Sequence, residues 1–250
     1  MTPIKKPESP ADLREMFQHI SGSYDLMNRL ISLGQDQAWR SYVVKMAAPP
    51  TGGRLLDIGA GTGNIARQAL SLDPALRVAA ADFSLDMMLA GRRRPGSRNI
   101  LWCNADAMRL PFPDCTFDAV TSGYLIRNVS NARKAMEEQV RLVKPGGRVV
   151  CLDTSPPGHN LLRPLILAHM KYVIPILGQV IARNRAAYEY LPRSTRAFMA
   201  PEELASLMRH VGLQKVTYRR FMLGTQVVLS GTRPEKNRAQ PNFKVRDRAP

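Results

Sequence analysis

Three glycines stand at every second position directly after an apolar run, in the segment Arg54-Leu-Leu-Asp57-Ile-Gly59-Ala-Gly61-Thr62-Gly63-Asn64. Glycine permits a positive φ angle and lets a ligand approach the main chain closely. Apolar residues follow at helical spacing, so a helix N-terminus with free N–H groups should face the same crevice. Dinucleotide sites have the pattern G-x-G-x-x-G, whereas this turn is G-x-G-x-G. The spacing therefore favours S-adenosylmethionine (SAM), which has no pyrophosphate, over NAD; a tight strand–helix turn without a ligand is the alternative.

Acidic residues mark three successive predicted strands. Asp57 lies in the first, Asp82 follows the second, and Asp106 lies just after the third. Each acid alone is explained by a helix cap or a solvated loop. Together they lie at the carboxyl ends of strands, which form the ligand crevice of open α/β sheets. We expect Asp82 to bind both ribose hydroxyls and Asp106 to bind the adenine amino edge. The predicted cofactor residues are Asp57, Gly59, Gly61, Thr62, Gly63, Asp82, Phe83, Asn104, Asp106 and Ala107.

The elements that position these residues alternate between short apolar strands and helices, which predicts a mainly parallel sheet covered by helices. At 250 residues, the chain has room for one well-buried domain. We expect a mobile N-terminus at 1–10 and a catalytic domain at 11–231. Within it, 11–47 should form one or two covering helices and 160–200 a helical insertion after the fifth strand. Residues 232–250 are basic, proline-bearing and almost without apolar residues, which predicts a disordered tail. Predicted strands cover 54–58, 77–81, 100–103, 117–122, 148–153, 213–219 and 224–229.

The formal net charge is +16, an excess that attracts nucleic acid or anionic lipid. No aromatic residues interleave with the bases as a base-stacking surface requires, so we expect no nucleic-acid partner. The most apolar stretch, 160–183, is interrupted by Arg163, His169 and Lys171 and contains two prolines, which argues against a transmembrane helix. It is either a packed insertion or a lid whose apolar side forms a tunnel or contacts a bilayer. The three cysteines lack metal-site spacing and indicate a reduced cytosolic protein without a metal. The first residues lack the apolar segment of a signal peptide.

Two further segments resemble the signatures of the SAM-dependent C-methyltransferases that complete ubiquinone and menaquinone. The first has Asp36 where that family usually has histidine, and the second has Leu142 for valine and Asp153 for glutamate. Residues Tyr124-Leu-Ile-Arg127-Asn128 are similar to the family's segment after the fourth strand. The likeness extends from about Met16 to Leu229. The two signature segments are Tyr24-Asp25-Leu-Met27-Asn28-Arg-Leu-Ile-Ser32-Leu-Gly-Gln-Asp36-Gln-Ala-Trp39 and Arg141-Leu-Val-Lys144-Pro145-Gly146-Gly147-Arg-Val-Val-Cys-Leu-Asp153-Thr-Ser155.

The resemblance implies a class I SAM-dependent methyltransferase (Rossmann-like) fold with a mainly parallel seven-stranded sheet. It also implies methylation of a ring carbon of a polyprenylated quinol, with demethylmenaquinol as the first expectation. Ring carbon becomes nucleophilic when an adjacent hydroxyl ionises, so alignment, charge stabilisation and exclusion of water should suffice. Arg127 would stabilise phenolate charge, Asn128 would hold a water or the quinol oxygen, and Tyr24 would contact the ring. Aspartate at position 36 removes the imidazole that a general base there would need.

Two alternatives stay open. The same fold could methylate another lipid or a small soluble metabolite, or the chain could be a non-catalytic subunit that holds prenyl quinones. An intact glycine turn with Asp57 and Asp82 argues against the second alternative. An insoluble prenyl chain implies a cytoplasmic protein that associates peripherally with an anionic membrane surface. A homodimer is a further possible partner state.

Overall fold

A computed structural model describes residues 10–158 and 161–235. Seven strands within these residues form one sheet in the order β3-β2-β1-β4-β5-β7-β6. Strands β1 to β5 run parallel, whereas β7 is antiparallel to both β5 and β6. This confirms the predicted class I SAM-dependent methyltransferase fold with a closing antiparallel hairpin. The strands are β1 Arg54–Ile58, β2 Arg77–Asp82, β3 Ile100–Asn104, β4 Phe117–Gly123, β5 Val143–Thr154, β6 Gln214–Phe221 and β7 Gln226–Thr232.

Helices cover both faces of the sheet because successive side chains of each strand point to opposite faces. In β1, Leu56 and Ile58 join one buried cluster, whereas Leu55 joins the cluster on the other face. Both clusters are almost inaccessible to solvent, so the sheet is a rigid support for the loops at its carboxyl edge. The helices that follow the strands are α4 Asn64–Leu72, α5 Leu85–Arg92, α6 Ala132–Leu142 and α10 Pro201–His210.

Residues 10–47 form three helices, where one or two were expected: α1 Pro10–Ile20, α2 Tyr24–Ile31 and α3 Asp36–Ala47. The second break lies at Leu33 and Gly34, which adopt φ angles of 53° and 77°. Such left-handed residues end a helix. Periodicity alone runs through this break because apolar residues continue on both sides of it.

The fifth strand begins at Val143, five residues before the predicted start. The segment Lys144–Gly147 is a typical helix stop signal, after which a loop is the usual continuation. Instead Val143 pairs with Phe117, and the register shifts between Phe117 and Ala119. A bulge of this kind lets the strand continue through a residue with positive φ, here Gly146 at 78°.

The insertion after β5 is a nearly continuous rod followed by a separate helix. Pro175 lies inside the rod, and the five-residue π-turn before it absorbs the loss of its N–H donor. One face, with Ile166, Met170 and Ile174, is buried against α1 and α2. The elements are α7 Arg163–Ala168, the π-helix His169–Val173, α8 Ile174–Val180 and α9 Arg185–Ala197.

The start of the predicted basic tail is part of the folded structure. Thr232 closes β7, and the Arg233 guanidinium donates to the carbonyls of Val140 and Val143 at 2.8 and 2.6 Å. A cation there satisfies carbonyls at the end of α6. Residues 236–250, and residues 1–9 at the other end, lie outside the described residues.

Candidate active site

The glycine turn between β1 and α4 has the backbone geometry that its sequence predicts. Gly59, Gly61 and Gly63 all have positive φ angles. A Cβ atom on Gly63 would lie 2.5 Å from the Trp102 ring, so this glycine makes room for packing within the protein. At Gly61 the nearest atom is the mobile tip of Met87 at 3.2 Å. Of these two glycines, Gly61 is therefore the less confined, because the atom that its Cβ would meet is the end of a flexible side chain.

Two buried carboxylates hold this turn. Asp82 accepts hydrogen bonds from the N–H groups of Gly61 (2.7 Å) and Ser84 (2.8 Å), and each oxygen retains a further lone pair. Asp57 accepts from Ala66 N–H and the Thr121 hydroxyl, both at 3.2 Å. Burial raises the pKa of both groups, and that of Asp57 to about 7. Asp82 faces the crevice, whereas Asp57 ties β1 to α4 and β4 from inside.

A cavity of about 390 Å³ opens at the carboxyl ends of β1 to β4, and we call it the strand-end cavity. Its volume is within the ordinary range of ligand sites, roughly 300–1,000 Å³. Asn104 donates to the Asp82 carbonyl at 2.8 Å, and the exposed Asp106 accepts from Met108 N–H at 2.9 Å. Asp57, Gly61, Thr62 and Gly63 lie beneath or behind it. Asn128, which was predicted to face the quinol, also lines this cavity. The predicted cofactor residues that line it are Gly59, Asp82, Phe83, Asn104, Asp106 and Ala107.

A second cavity, the apolar cavity, lies between the sheet and helices α1, α2 and α9. Its walls include Met16, Phe17, Tyr24, Tyr188 and Leu191. Its volume is about 70 Å³, far below the roughly 300–1,000 Å³ of typical ligand pockets. An aromatic ring therefore enters only if the helical walls move.

The two cavities share a wall. Tyr124 and Arg127 line the apolar cavity, whereas Leu125 and Asn128, on the same turn, line the strand-end cavity. The φ angle of Tyr124 is 57°, an uncommon conformation for a bulky residue. Its N–H donates to Leu152 O at 2.7 Å, which holds the strained turn against β5.

The floor of the apolar cavity is polar. Three of its buried atoms have no hydrogen-bond partner among the described residues: Arg127 Nε, Thr154 Oγ1 and Gln226 Oε1. They come from the turn after β4, the end of β5 and the start of β7, and Thr154 pairs with Gln226 across the sheet. Buried polar atoms are nearly always paired. A cluster of unpaired donors and acceptors at the end of an apolar cavity indicates a ligand with polar groups on an apolar body.

Arg127 forms a buried ion pair with Asp153, with 2.7 Å between Nη1 and Oδ1 and side-chain exposures of 7% and 1%. Burial alone would lower the pKa of Arg127, but the adjacent carboxylate outweighs it and the pKa is raised. The guanidinium also lies 4.9 Å from the centre of the Tyr124 ring. It is thus fixed in position, and its buried Nε has no hydrogen-bond partner among the described residues.

Asn128 lines the strand-end cavity, whereas Tyr24 lines the apolar cavity. The Asn128 amide donates to Tyr124 O at 2.7 Å and accepts from the Tyr190 hydroxyl of α9 at 3.0 Å. It therefore connects the insertion to the wall shared by the two cavities, and its remaining hydrogen-bonding capacity faces the strand-end cavity. Tyr24 lines the apolar cavity, and burial raises the pKa of its phenol. Tyr24 is therefore a neutral donor.

The donor set fits SAM. Gly59 of the glycine turn, the Asp82 carboxylate and Asn104 line the strand-end cavity, and the polar floor of the apolar cavity lies across one shared wall. Sequence reasoning missed Thr154 and Gln226. Their pairing joins residues 72 positions apart in the chain, and hydroxyl and amide residues are too common to stand out.

Comparison with known proteins agrees with this geometry. The model of the ubiE/COQ5 methyltransferase family matches residues 5–233. A ubiquinone/menaquinone biosynthesis C-methyltransferase, UbiE, of Desulfotalea psychrophila is 46% identical over 85% of this chain and 87% of its own length. A demethylmenaquinone methyltransferase of a Roseiflexus species is 38% identical over 92% and 97%.

Among solved structures, phosphoethanolamine N-methyltransferase 2 of Haemonchus contortus, in complex with S-adenosylhomocysteine, superimposes with a TM-score of 0.66. The sequences are 18% identical, and the match covers 92% of this chain and 61% of that one, which shows the shared fold. The fold, the cradle at the strand ends and the family match lead to one conclusion. The chain belongs to the ubiE/COQ5 methyltransferase family and is a methyltransferase with SAM as its cofactor.

Proposed function

We propose that this enzyme transfers a methyl group to a ring carbon of a polyprenylated quinol, with demethylmenaquinol as the substrate. The observation that carries the proposal is the unpaired polar floor of the apolar cavity, formed by Arg127, Thr154 and Gln226. A quinol ring carries hydroxyl groups on an apolar body, so it can pair with the polar floor and pack against the apolar walls. The names of the relatives from Desulfotalea and Roseiflexus, which include quinone methylation, support the same substrate class.

The residues of the site favour carbon nucleophilicity without a covalent intermediate on the protein. SAM supplies an electrophilic methyl group when it is bound. A quinol hydroxyl beside the reacting carbon gains negative charge during attack, and Arg127 Nε is a preorganised donor for that charge. The apolar walls exclude water, which strengthens this interaction. Thr154 and Gln226 orient the ring so that its carbon faces the shared wall.

Anaerobic assays with a chemically reduced, short-chain demethylmenaquinol analogue and SAM test the proposal. Mass spectrometry should show one added methyl group on the ring, and the oxidised quinone should give no product. A matched benzoquinol acceptor decides between the two ring types. Lack of methylation of either reduced ring, in protein shown to bind S-adenosylhomocysteine, contradicts the proposal.

We also propose that the outer face of the insertion meets an anionic bilayer. This outer face consists of Leu161, Leu165, Tyr172, Ile176 and Val180, which are between 55% and 96% exposed. From Leu165 onward these residues recur every four or seven positions, which aligns them on one side of the rod. None of the helices in the described part of the chain is both long and apolar enough to span a membrane. An exposed apolar stripe with basic neighbours is typical of an interfacial helix.

Sedimentation with liposomes tests this face. Wild-type protein should bind anionic vesicles at low salt and be released at high salt, because screening weakens the attraction. Ile176→Asp should reduce binding, whereas Leu72→Asp, a matched change at an exposed aliphatic residue outside the insertion, should not. Equal binding by both variants contradicts a role for the outer face. Ile174 is unsuitable for this test because it is 5% exposed and packs in the core.

A further inference from the structure

Asp25 belongs to α2, yet its carboxylate reaches the glycine turn. Its Oδ1 accepts from the Thr62 hydroxyl at 2.7 Å and from the Asn64 amide at 2.8 Å. Its other oxygen lies 3.4 Å from an Arg94 nitrogen. Thr62 is fully buried, so this contact is built into the turn rather than made between two mobile surface groups.

The same helix forms part of the apolar cavity. Tyr24 precedes Asp25 and Asn28 follows one turn later, and both line that cavity. The position of α2 on the glycine turn therefore sets the position of one cavity wall. Loss of the contact between Asp25 and the glycine turn should therefore move the Tyr24 ring in the wall of the apolar cavity.

Helix α1 is fixed to the cofactor side in a similar manner. The Arg14 guanidinium donates to the Phe83 carbonyl at 3.0 Å through Nε, directly after Asp82. Arg14 lines the strand-end cavity, whereas Met16 and Phe17 line the apolar cavity. Helices α1 and α2 thus each connect the carboxyl-edge loops beside the proposed cofactor site with the wall of the apolar cavity.

Acidic residues are common in the first turn of a helix because they interact favourably with its dipole. That role needs no partner outside the helix. Here one carboxylate oxygen is the acceptor for two side chains of the glycine turn. Since the apolar cavity is too small for a ring in this conformation, the wall has to move, and Asp25 connects that movement to the turn.

We propose that Asp25 is a positioning residue that transmits cofactor binding to the wall of the apolar cavity. Occupation of the glycine turn fixes Thr62 and Asn64, and Asp25 then holds α2 in the orientation that the quinol ring requires. The cofactor binds first and the quinol second. The expected effect on quinol kinetics rests on the proposed function, whereas the expected ordering of α2 on cofactor binding does not.

Hydrogen exchange on the full chain, with and without S-adenosylhomocysteine, tests the structural consequence. In wild-type protein the ligand should slow exchange in both 59–64 and 24–31. In Asp25→Ala protein the protection should persist in 59–64 and be lost in 24–31. Glu15→Ala, a change at an exposed acid of α1, is the matched control and should behave as wild type.

Kinetics then separate positioning from general damage. Asp25→Ala should raise KM for the quinol about tenfold, within the roughly 5–150-fold range of site coupling, while the Kd for S-adenosylhomocysteine changes less than about threefold. Asp25→Asn keeps an acceptor oxygen and should restore most of the loss. Thr62→Val removes the partner hydroxyl, and combining it with Asp25→Ala should add little.

Retained protection of 24–31 in folded Asp25→Ala protein overturns the inference. Loss of S-adenosylhomocysteine binding in that variant also overturns it, because Asp25 would then belong to the cofactor site itself. If Asp25→Ala protein does not fold, the Thr62→Val variant gives the same exchange test from the other side of the contact. If wild-type protein methylates no quinol, the proposed function fails, while the exchange experiment still decides this inference.

Discussion

Substitutions at Arg127 can show whether this residue stabilises charge in the reaction or only forms a buried ion pair that stabilises the fold. In the structure Arg127 does have a structural partner, since Asp153 lies 2.7 Å away and is 1% exposed. Breaking a buried pair by removing one partner costs about 3–5 kcal/mol. In a domain of this size 1 kcal/mol shifts Tm by about 2–4 °C, so Arg127→Ala should lower Tm by about 6–20 °C.

Two further variants remove this ambiguity. Arg127→Lys keeps the positive charge beside Asp153 but removes the unpaired Nε donor. It should remain folded, bind S-adenosylhomocysteine normally, and lose about 10²–10³ in kcat, which is typical for one oxyanion-stabilising donor. Arg127→Leu combined with Asp153→Asn leaves no unpaired charge, and the backbone N–H of Thr154 still has an acceptor. The double variant should regain most of the lost stability without regaining turnover.

The assay is anaerobic methylation of a short-chain demethylmenaquinol, with thermal unfolding measured on the same samples. Two results would refute the reasoning: a wild-type kcat in Arg127→Lys, or recovery of turnover together with stability in the double variant. Either would show that the ion pair, rather than the donor, is what the reaction needs. The comparison works because the pair contributes to stability and Nε to transition-state charge.

Three other changes follow from the geometry. Gly61→Val places a branched side chain where the ligand approaches the backbone, and calorimetry should show at least about tenfold weaker S-adenosylhomocysteine binding, whereas Gly22→Ala, with open space around its Cβ, should leave affinity unchanged. The raised pKa of Asp57, about 7 in the folded protein, means that the folded state binds the proton more tightly. Ionisation of Asp57 therefore destabilises the fold as the pH rises from about 4 to 7. The free energy of unfolding of Asp57→Asn, relative to that of wild type, should be higher at pH 8 than at pH 4 by up to about 4 kcal/mol. A difference between the two proteins that does not change with pH in chemical denaturation would contradict this. Thr154→Val with Gln226→Leu should raise both Tm and the quinol KM, because unpaired buried polar groups disfavour folding; a lower Tm with unchanged KM would show that they are structural.

The cofactor side of the site follows from local sequence. A glycine turn after an apolar strand and an acid at the next strand end can be recognised within short windows, and parallel strands bring their carboxyl ends to one edge. Asp82 and Asn104 lie at that edge as expected. Asp57 does not reach the strand-end cavity, because alternation along β1 directs its side chain into the protein beneath the turn.

The substrate side depends on contacts that short windows do not contain. Thr154 meets Gln226 only because β7 inserts between β5 and β6. Asp25 meets Thr62 because α2 folds back over the glycine turn, across 37 positions of sequence. The signature around Tyr24 marks this helix as functional in the family, but the identity of the contact requires the fold.

The charged and phenolic groups around the apolar cavity bear on whether a protein base removes the quinol proton. Among the described residues that line the apolar cavity, Asp36 is the carboxylate. It is held by an ion pair with Arg40 and a hydrogen bond from Ser32, so each of its oxygens already has a partner. Asp153 is paired with Arg127, and burial raises the pKa of Tyr24, so its phenol stays protonated and is not available as a base. The proposed reaction therefore relies on stabilisation of phenolate charge by Arg127 rather than on proton removal by one of these groups. With no histidine at position 36, we expect carbon methylation to depend on the Arg127 guanidinium and on exclusion of water.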